Sequence, residues 1–203
     1  LGTKISTLKA GAPIRMGYGP IQFEGSTSQA LLVYYNPPAC LRVLHPQYDK
    51  NLPGTPDLLE EAIPFSNLNR ILVEADSPAA LPGNLYADSS SAENQWCYYF
   101  QKADLARQME DWERIATLGE IAFKLEDSPN HASERVPFIE GYAHVGDWDT
   151  ALDLTLETIK INKFMGAMLC DTWEQIHLNT PKSQDRDAAI QTIEERLACG
   201  LAP

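Results

Sequence analysis

An Asp-Trp pair that occurs twice, 36 residues apart, constrains the fold of this chain more than any other feature of its sequence. The pairs are Asp111-Trp112 and Asp147-Trp148, and each separates two stretches with helical periodicity. A unit that recurs at a fixed period of 20 to 50 residues is typical of stacked repeat architectures. The sequence therefore predicts an array of antiparallel helical hairpins from about residue 96 onward.

The residues around each pair suit a tight turn between two helices. Gly146 can take the left-handed conformation that ends a helix, and the carboxylates of Asp111 and Asp147 can accept N–H groups of the next helix. We expect Trp112 and Trp148 to cover the crossing. The following helices carry apolar or small residues at spacings of three and four, which predicts one core-facing side: Ile115, Leu118, Ala122 and Leu125, then Ala151, Leu154, Thr158 and Ile161.

Six helices follow from this reading of the second half of the chain. We predict them at residues 98–108, 113–125, 135–145, 149–162, 164–178 and 183–198. The last two form a third pair that lacks an Asp-Trp corner. Terminal repeats are commonly atypical because one of their faces meets water.

The repeat resembles the tetratricopeptide family. The residues that fall at that family's packing positions are Phe138, Tyr142, Gly146-Asp147-Trp148 and Ala151 in the second unit, and Ala103, Trp112 and Ala122 in the first. Three features depart from the family pattern: a period of 36 rather than about 34, Gly119 where an aromatic residue is expected, and Pro137 near the start of a helix. The resemblance implies a scaffold of stacked hairpins.

The N-terminal half predicts a small mixed module, so the fold class is α+β. Gly and Pro interrupt residues 11–25, where we expect sparse regular structure. Apolar runs predict strands at 29–35, 40–44 and 66–74, with 21–24 as a further member of the sheet, and acidic residues after Pro56 predict a helix over 56–63. Residues 76–92 have the composition of a linker. The predicted domains are residues 1–92 and residues 93–203.

The charge of the chain argues against two classes of partner. Sixteen basic residues stand against 28 acidic ones, for a formal charge of −12, and residues 96–203 alone carry −9. Such a surface repels phosphate backbones and anionic lipid. We therefore expect no nucleic-acid partner, and a membrane association only through a region upstream of Leu1.

No motif in the chain marks an active site, a metal centre or a cofactor site, so we expect a noncatalytic domain. The four histidines (His45, His131, His144 and His177) have no ligand spacing, and the four cysteines (Cys40, Cys97, Cys170 and Cys199) form no CxxC pair. Free cysteines prefer burial, which favours four buried thiols, although one or two disulfides stay open. A hydrolase that uses Cys40 with His45 is a further hypothesis, should the fold bring them together.

One polar set is a candidate binding groove. Asp104, Arg107 and Gln108 lie on one side of a helix, and a shift of 36 residues places Glu140 and His144 at the positions equivalent to Asp104 and Gln108. Polar residues at matched levels of stacked helices are expected to line a groove for an extended peptide. The alternative is an ordinary solvated face.

A second resemblance covers more of the chain. Residues 33–44 (VYYNPPACLRVL), 96–106 (WCYYFQKADLA) and 168–174 (MLCDTWE) are similar to the C-terminal domain of large bacterial integral membrane proteins of a glycosyltransferase-like kind. The likeness, together with a start at Leu1, implies an extracytoplasmic tail that binds a protein partner. The alternatives are a cytoplasmic protein, or an accessory domain that holds glycans against Tyr34, Tyr35, Tyr98 or Tyr99.

Overall fold

The computed structural model describes residues 9–71 and 94–201. Contacts between Cα atoms divide the chain into two compact units, the first made of residues 1–34, 43–50 and 54–87 and the second of residues 35–42, 51–53 and 88–203. The predicted linker at 76–92 lies outside the described residues. Within the described residues, two small sheets and seven α-helices confirm the α+β class.

The longest strands of the first unit lie where little regular structure was expected. Strands β1 (Pro13–Tyr18) and β2 (Ile21–Ser26) form an antiparallel hairpin in which Met16 pairs with Phe23 and Tyr18 with Ile21. The prediction for residues 11–25 was wrong because Gly19, at φ 58°, forms the hairpin turn instead of interrupting the structure. Residues 21–24 are in a strand as predicted, but their partner is β1.

The remaining strands are shorter than their apolar runs. Strands β3 (Val33–Tyr34) and β4 (Arg42–Val43) form a second two-stranded sheet. The backbone ahead of β3 hydrogen-bonds to a loop instead of to a strand. The Leu32 N–H donates to Ser66 Oγ at 3.2 Å, and the Asn67 N–H donates to Ala30 O at 2.8 Å.

The strand predicted at 66–74 is wrong over its described part. Leu68–Arg70 is a 3-10 turn, whose first residues are capped by the Asn67 side chain. The predicted short helix is present as α1 (Asp57–Ala62).

The second unit contains the six predicted helices. They are α2 (Trp96–Gln108), α3 (Trp112–Ala122), α4 (Val136–His144), α5 (Trp148–Ile161), α6 (Gly166–Asn179) and α7 (Gln184–Leu197), with 3-10 turns ahead of α4 and α6. Each of α2 to α4 packs on the next helix in sequence, α4 also packs on α6, and α7 packs on α5 and α6. Residues 94–201 contain no strand. Several packed helices are thus compatible with a helical repeat.

The two Asp-Trp turns have the same backbone geometry. Asp111 and Asp147 each begin a helix, and their side chains accept the N–H of Arg114 and of Thr150, both at 3.2 Å. Their own N–H groups donate to the carbonyls of Ala106 at 3.0 Å and Tyr142 at 2.9 Å, which are again 36 residues apart. The preceding residues, Glu110 and Gly146, are both left-handed, with φ 57° and 86°.

All four cysteines are paired, so the prediction of buried free thiols was wrong. The disulfides are Cys40–Cys97 and Cys170–Cys199. Cys40 reaches the start of α2 because its N–H donates to a Glu134 carboxylate oxygen at 2.8 Å and Arg42 donates to Ser133 O at 3.1 Å. Contacts between residues more than 90 positions apart decide this pairing, and cysteine spacing does not report them.

Candidate functional site

Three of the five predicted groove residues lie in the interior of the second unit. Asp104, Arg107 and Glu140 are 7%, 1% and 2% exposed. The guanidinium of Arg107 on α2 donates to the carboxylate of Glu140 on α4, so this ion pair connects the first helices of two successive hairpins. Burial raises the pKa of the Glu140 carboxyl, and the Arg107 guanidinium opposes that rise.

The other two groove residues, Gln108 and His144, are half-buried. The imidazole of His144 stacks on the indole of Trp112, with ring centroids 3.9 Å apart and planes inclined by 11°. Burial lowers the pKa of His144 to about 4, so the ring is neutral at physiological pH. A binding role for these five residues stays a prediction.

The residues assigned to packing line the core or the turns of the second unit. Ala103, Ala122, Phe138 and Ala151 are fully buried, and Tyr142 is 7% exposed. Trp112 and Trp148 are half-buried at the first positions of α3 and α5, and Gly146 is exposed in its turn. Both indoles thus lie at the starts of the second helices, and their covering of the helix crossing stays a prediction.

Gly119, which departs from the tetratricopeptide pattern, has a packing reason of its own. A Cβ added to Gly119 would lie 2.6 Å from the Tyr142 hydroxyl and 3.0 Å from Phe138 Cδ1. On the facing helix, a Cβ added to Gly141 would lie 2.4 Å from Ile115 Cγ2. The two glycines let α3 and α4 approach closely, and the place of the missing aromatic at 119 is taken by Tyr142.

A cavity of about 420 Å³ opens beside this contact, between α3, α4 and α5. Carboxylates dominate its polar lining: Glu120, Asp147, Asp153 and Glu157, with Lys124 as a cation and Phe123 and Tyr142 as aromatic walls. Glu157 also pairs with Arg135 at 3.2 Å. Such an arrangement holds a cation better than an anion.

Sequence reasoning missed this cavity. The signal available in the sequence was Gly119 itself, a small residue where the tetratricopeptide pattern has an aromatic one. Its meaning depends on the opposing helix, because only the fold shows that Tyr142 points at the vacated position. The residues that form the lining come from three helices and share no motif.

Local structure bears on the hydrolase hypothesis for Cys40 and His45 and on metal binding. Cys40 Sγ is bonded to Cys97 Sγ and is not a thiol, and His45 Nδ1 accepts the N–H groups of Gln47 and Tyr48. Within the described ranges, no three His, Cys, Asp or Glu side chains gather closely enough to hold a metal ion. No helix there has the length and apolarity needed to cross a bilayer.

The tyrosines proposed for glycan contact differ in accessibility. Tyr35 is 62% exposed, whereas Tyr99 is only 9% exposed and packs edge-on against Tyr98. The ring of Tyr98 is in turn approached by the ammonium group of Lys102 at 4.1 Å. Tyr34 is half-buried, so Tyr35 offers the most open aromatic surface of the four.

Comparison with known proteins adds nothing to the description of the fold or the cavity. No protein-family model, curated protein or solved structure matches the chain significantly.

Proposed function

We propose that this chain is a noncatalytic protein-interaction scaffold built from tetratricopeptide-like helical hairpins. The observation that carries the proposal is the equivalence of the two turns, in which Asp111 and Asp147 cap helices in the same way 36 residues apart. Helices stacked at a fixed period create extended surfaces that bind peptides and proteins.

We further propose that the scaffold works on the extracytoplasmic side of a bacterial membrane, as the tail of a longer membrane protein. Two disulfides, which use every cysteine of the chain, support an oxidising compartment. Counting free thiols in denatured protein taken directly from its native cells tests this location. Zero free thiols are expected, and four would place the chain in a reducing compartment.

The interaction proposal is tested with the whole chain as bait. We expect it to capture a protein from the native cell envelope. Once purified, that protein should bind with saturable 1:1 stoichiometry in calorimetry and should be released chemically unchanged. Absence of any protein partner, or steady chemical turnover of the captured molecule, would contradict the proposal. The bait must keep both disulfides, because reduced protein tests a different structure.

A glycan-binding accessory domain is the second candidate, and the exposure of Tyr35 favours it. Aromatic faces of this kind are suited to the apolar faces of sugar rings. A glycan array gives the measurement, with Tyr35→Ala as the variant and Tyr99→Phe as the control. Binding that survives Tyr35→Ala would remove this candidate's structural basis.

A further inference from the structure

The hydroxyl of Tyr142 lies at the end of a largely buried side chain and faces a cavity. The Tyr142 side chain is more than nine-tenths buried, and it lines the 420 Å³ cavity between α3, α4 and α5. Of the residues that the structure describes, none hydrogen-bonds to this hydroxyl. The oxygen is accessible from the cavity, so a hydrogen-bond donor that enters the cavity can reach it.

Gly119 makes the hydroxyl accessible. Any side chain at position 119 would occupy the space next to it, since even a Cβ there would lie 2.6 Å from the Tyr142 oxygen. The glycine leaves the space that the phenol fills at the edge of the cavity.

The cavity also has a negative potential. Four carboxylates line it, Lys124 opposes them, and Arg135 offsets the charge of Glu157. Burial, with smaller contributions from the charges of Glu120 and Asp147, raises the pKa of Tyr142 to about 12, so the phenol itself stays neutral. A neutral oxygen acceptor surrounded by carboxylates is complementary to a cation that carries several N–H donors.

We propose that this cavity, lined by Glu120, Tyr142 and Asp153, binds an arginine side chain presented by a basic segment of a protein partner. A guanidinium has five N–H donors in a planar fork, which can serve the phenol oxygen and a carboxylate together, and its face can stack on Phe123. An ammonium group is a single strongly hydrated charge and fits less well. The inference rests on the proposed interaction function and names the chemistry of the partner.

The probe is an acetylated and amidated Gly/Ser peptide with two arginines, titrated into the intact, disulfide-bonded chain and followed by NMR. We expect amide shifts confined to residues near Gly119, Glu120 and Asp153. The same peptide with citrulline, which has the same shape without the charge, is expected to bind at least about tenfold more weakly. A lysine peptide is expected to bind several-fold more weakly.

Two conservative variants test the cavity itself. Tyr142→Phe removes one oxygen that has no described partner, so it should leave the melting temperature nearly unchanged while weakening the arginine peptide about tenfold. Glu120→Gln should weaken it several-fold. The matched controls are Tyr35→Phe, an exposed tyrosine, and Glu174→Gln, an exposed carboxylate on α6 outside the cavity; each should change the dissociation constant less than twofold.

Three results would overturn the inference: equal binding of the arginine and citrulline peptides, equal binding of the arginine and lysine peptides, or an effect of Glu174→Gln as large as that of Glu120→Gln. The last would mean diffuse charge attraction. If a native partner is captured but binds Tyr142→Phe normally, this inference fails and the scaffold function stands. If no partner exists, the scaffold function fails, and the peptide titration still reports on the cavity.

Discussion

The first helical hairpin (α2 and α3) and the second (α4 and α5) share a turn but differ in the side chains that fill equivalent positions. Gly119 in α3 corresponds to Thr155 in α5. The identity of each residue fits its contact with a neighbouring helix. Gly119 makes room for the Tyr142 hydroxyl, whereas the Thr155 hydroxyl accepts the Trp173 indole N–H at 3.1 Å. The comparison shows that the repeat sets the backbone and the neighbouring helix selects the side chain.

Charged residues at the interface between the hairpins also differ between equivalent positions. Arg107 on α2 corresponds to Ala143 on α4, and only Arg107 has a carboxylate partner on the following first helix, Glu140. A strict repeat would place the same residue at both levels. The difference identifies a buried ion pair at Arg107 that Ala143, at the equivalent position, cannot form.

The largest effect is expected from breaking that connection. Glu140→Leu leaves the Arg107 guanidinium buried without the Glu140 carboxylate and should lower the free energy of unfolding by about 3–5 kcal/mol. Urea denaturation measures this loss. Glu157→Gln, which removes a half-exposed carboxylate from its pair with Arg135, should cost less than about 1 kcal/mol. Similar losses in both variants would contradict the distinction between the hairpin interface and the surface.

A methyl group at position 119 should have the next largest effect. Gly119→Ala ordinarily strengthens a helix, but here the Cβ meets Tyr142 and Phe138, so we expect a net loss of about 1–3 kcal/mol. Gly166→Ala is the control, because its Cβ would meet only Ile159 Cδ1 at 4.0 Å. Adding Tyr142→Phe to Gly119→Ala should recover part of the loss. A stabilising Gly119→Ala would show that the helices can move apart freely.

The two left-handed residues, Glu110 and Gly146, allow the turns to be compared by substitution. Gly146→Ala places a Cβ in a left-handed backbone and should destabilise the protein by about 1 kcal/mol. Glu110→Gly at the equivalent position should be neutral or stabilise by up to about 1 kcal/mol. Thermal denaturation of both variants gives the comparison. Losses of the same sign and size would mean that the turns are not energetically equivalent.

The last effect concerns the imidazole that stacks on Trp112. The pKa of His144 is about 4 in the folded protein and near 6.5 in the unfolded chain, so the unfolded state binds more protons between these values. Stability should therefore fall as the pH is lowered from 6.5 to 4. His144→Gln, which copies Gln108 of the first hairpin, should weaken this pH dependence and lower stability at pH 7 by about 1 kcal/mol. An NMR titration midpoint near 6.5 for His144 would refute the prediction.

Sequence reasoning located the helices well and the strands poorly, for one physical reason. Helix ends are marked by local chemistry, such as the Asp111 and Asp147 caps, and the core face of a helix repeats every three to four residues. Strand β3 is only two residues long because loop contacts with Ser66 and Asn67 take up the backbone ahead of it. Those contacts join residues more than 30 positions apart and have no local signature.

The same division applies to the candidate site. The sequence placed Asp104 and Glu140 36 residues apart, and the structure has them on α2 and α4. Whether such residues face solvent or each other depends on how closely the helices approach, and they are buried. The cavity beside Tyr142 was beyond sequence reasoning because it exists only where three helices meet.

The sequence by itself determined the period of the helical half, the geometry of its two turns and the sign of its charge, since each depends on residues that are neighbours along the chain. Tertiary structure alone decided which cysteines pair, which polar residues are buried and why position 119 is glycine. These outcomes depend on distances between atoms of different helices. Packing sets those distances, and no short stretch of sequence contains them.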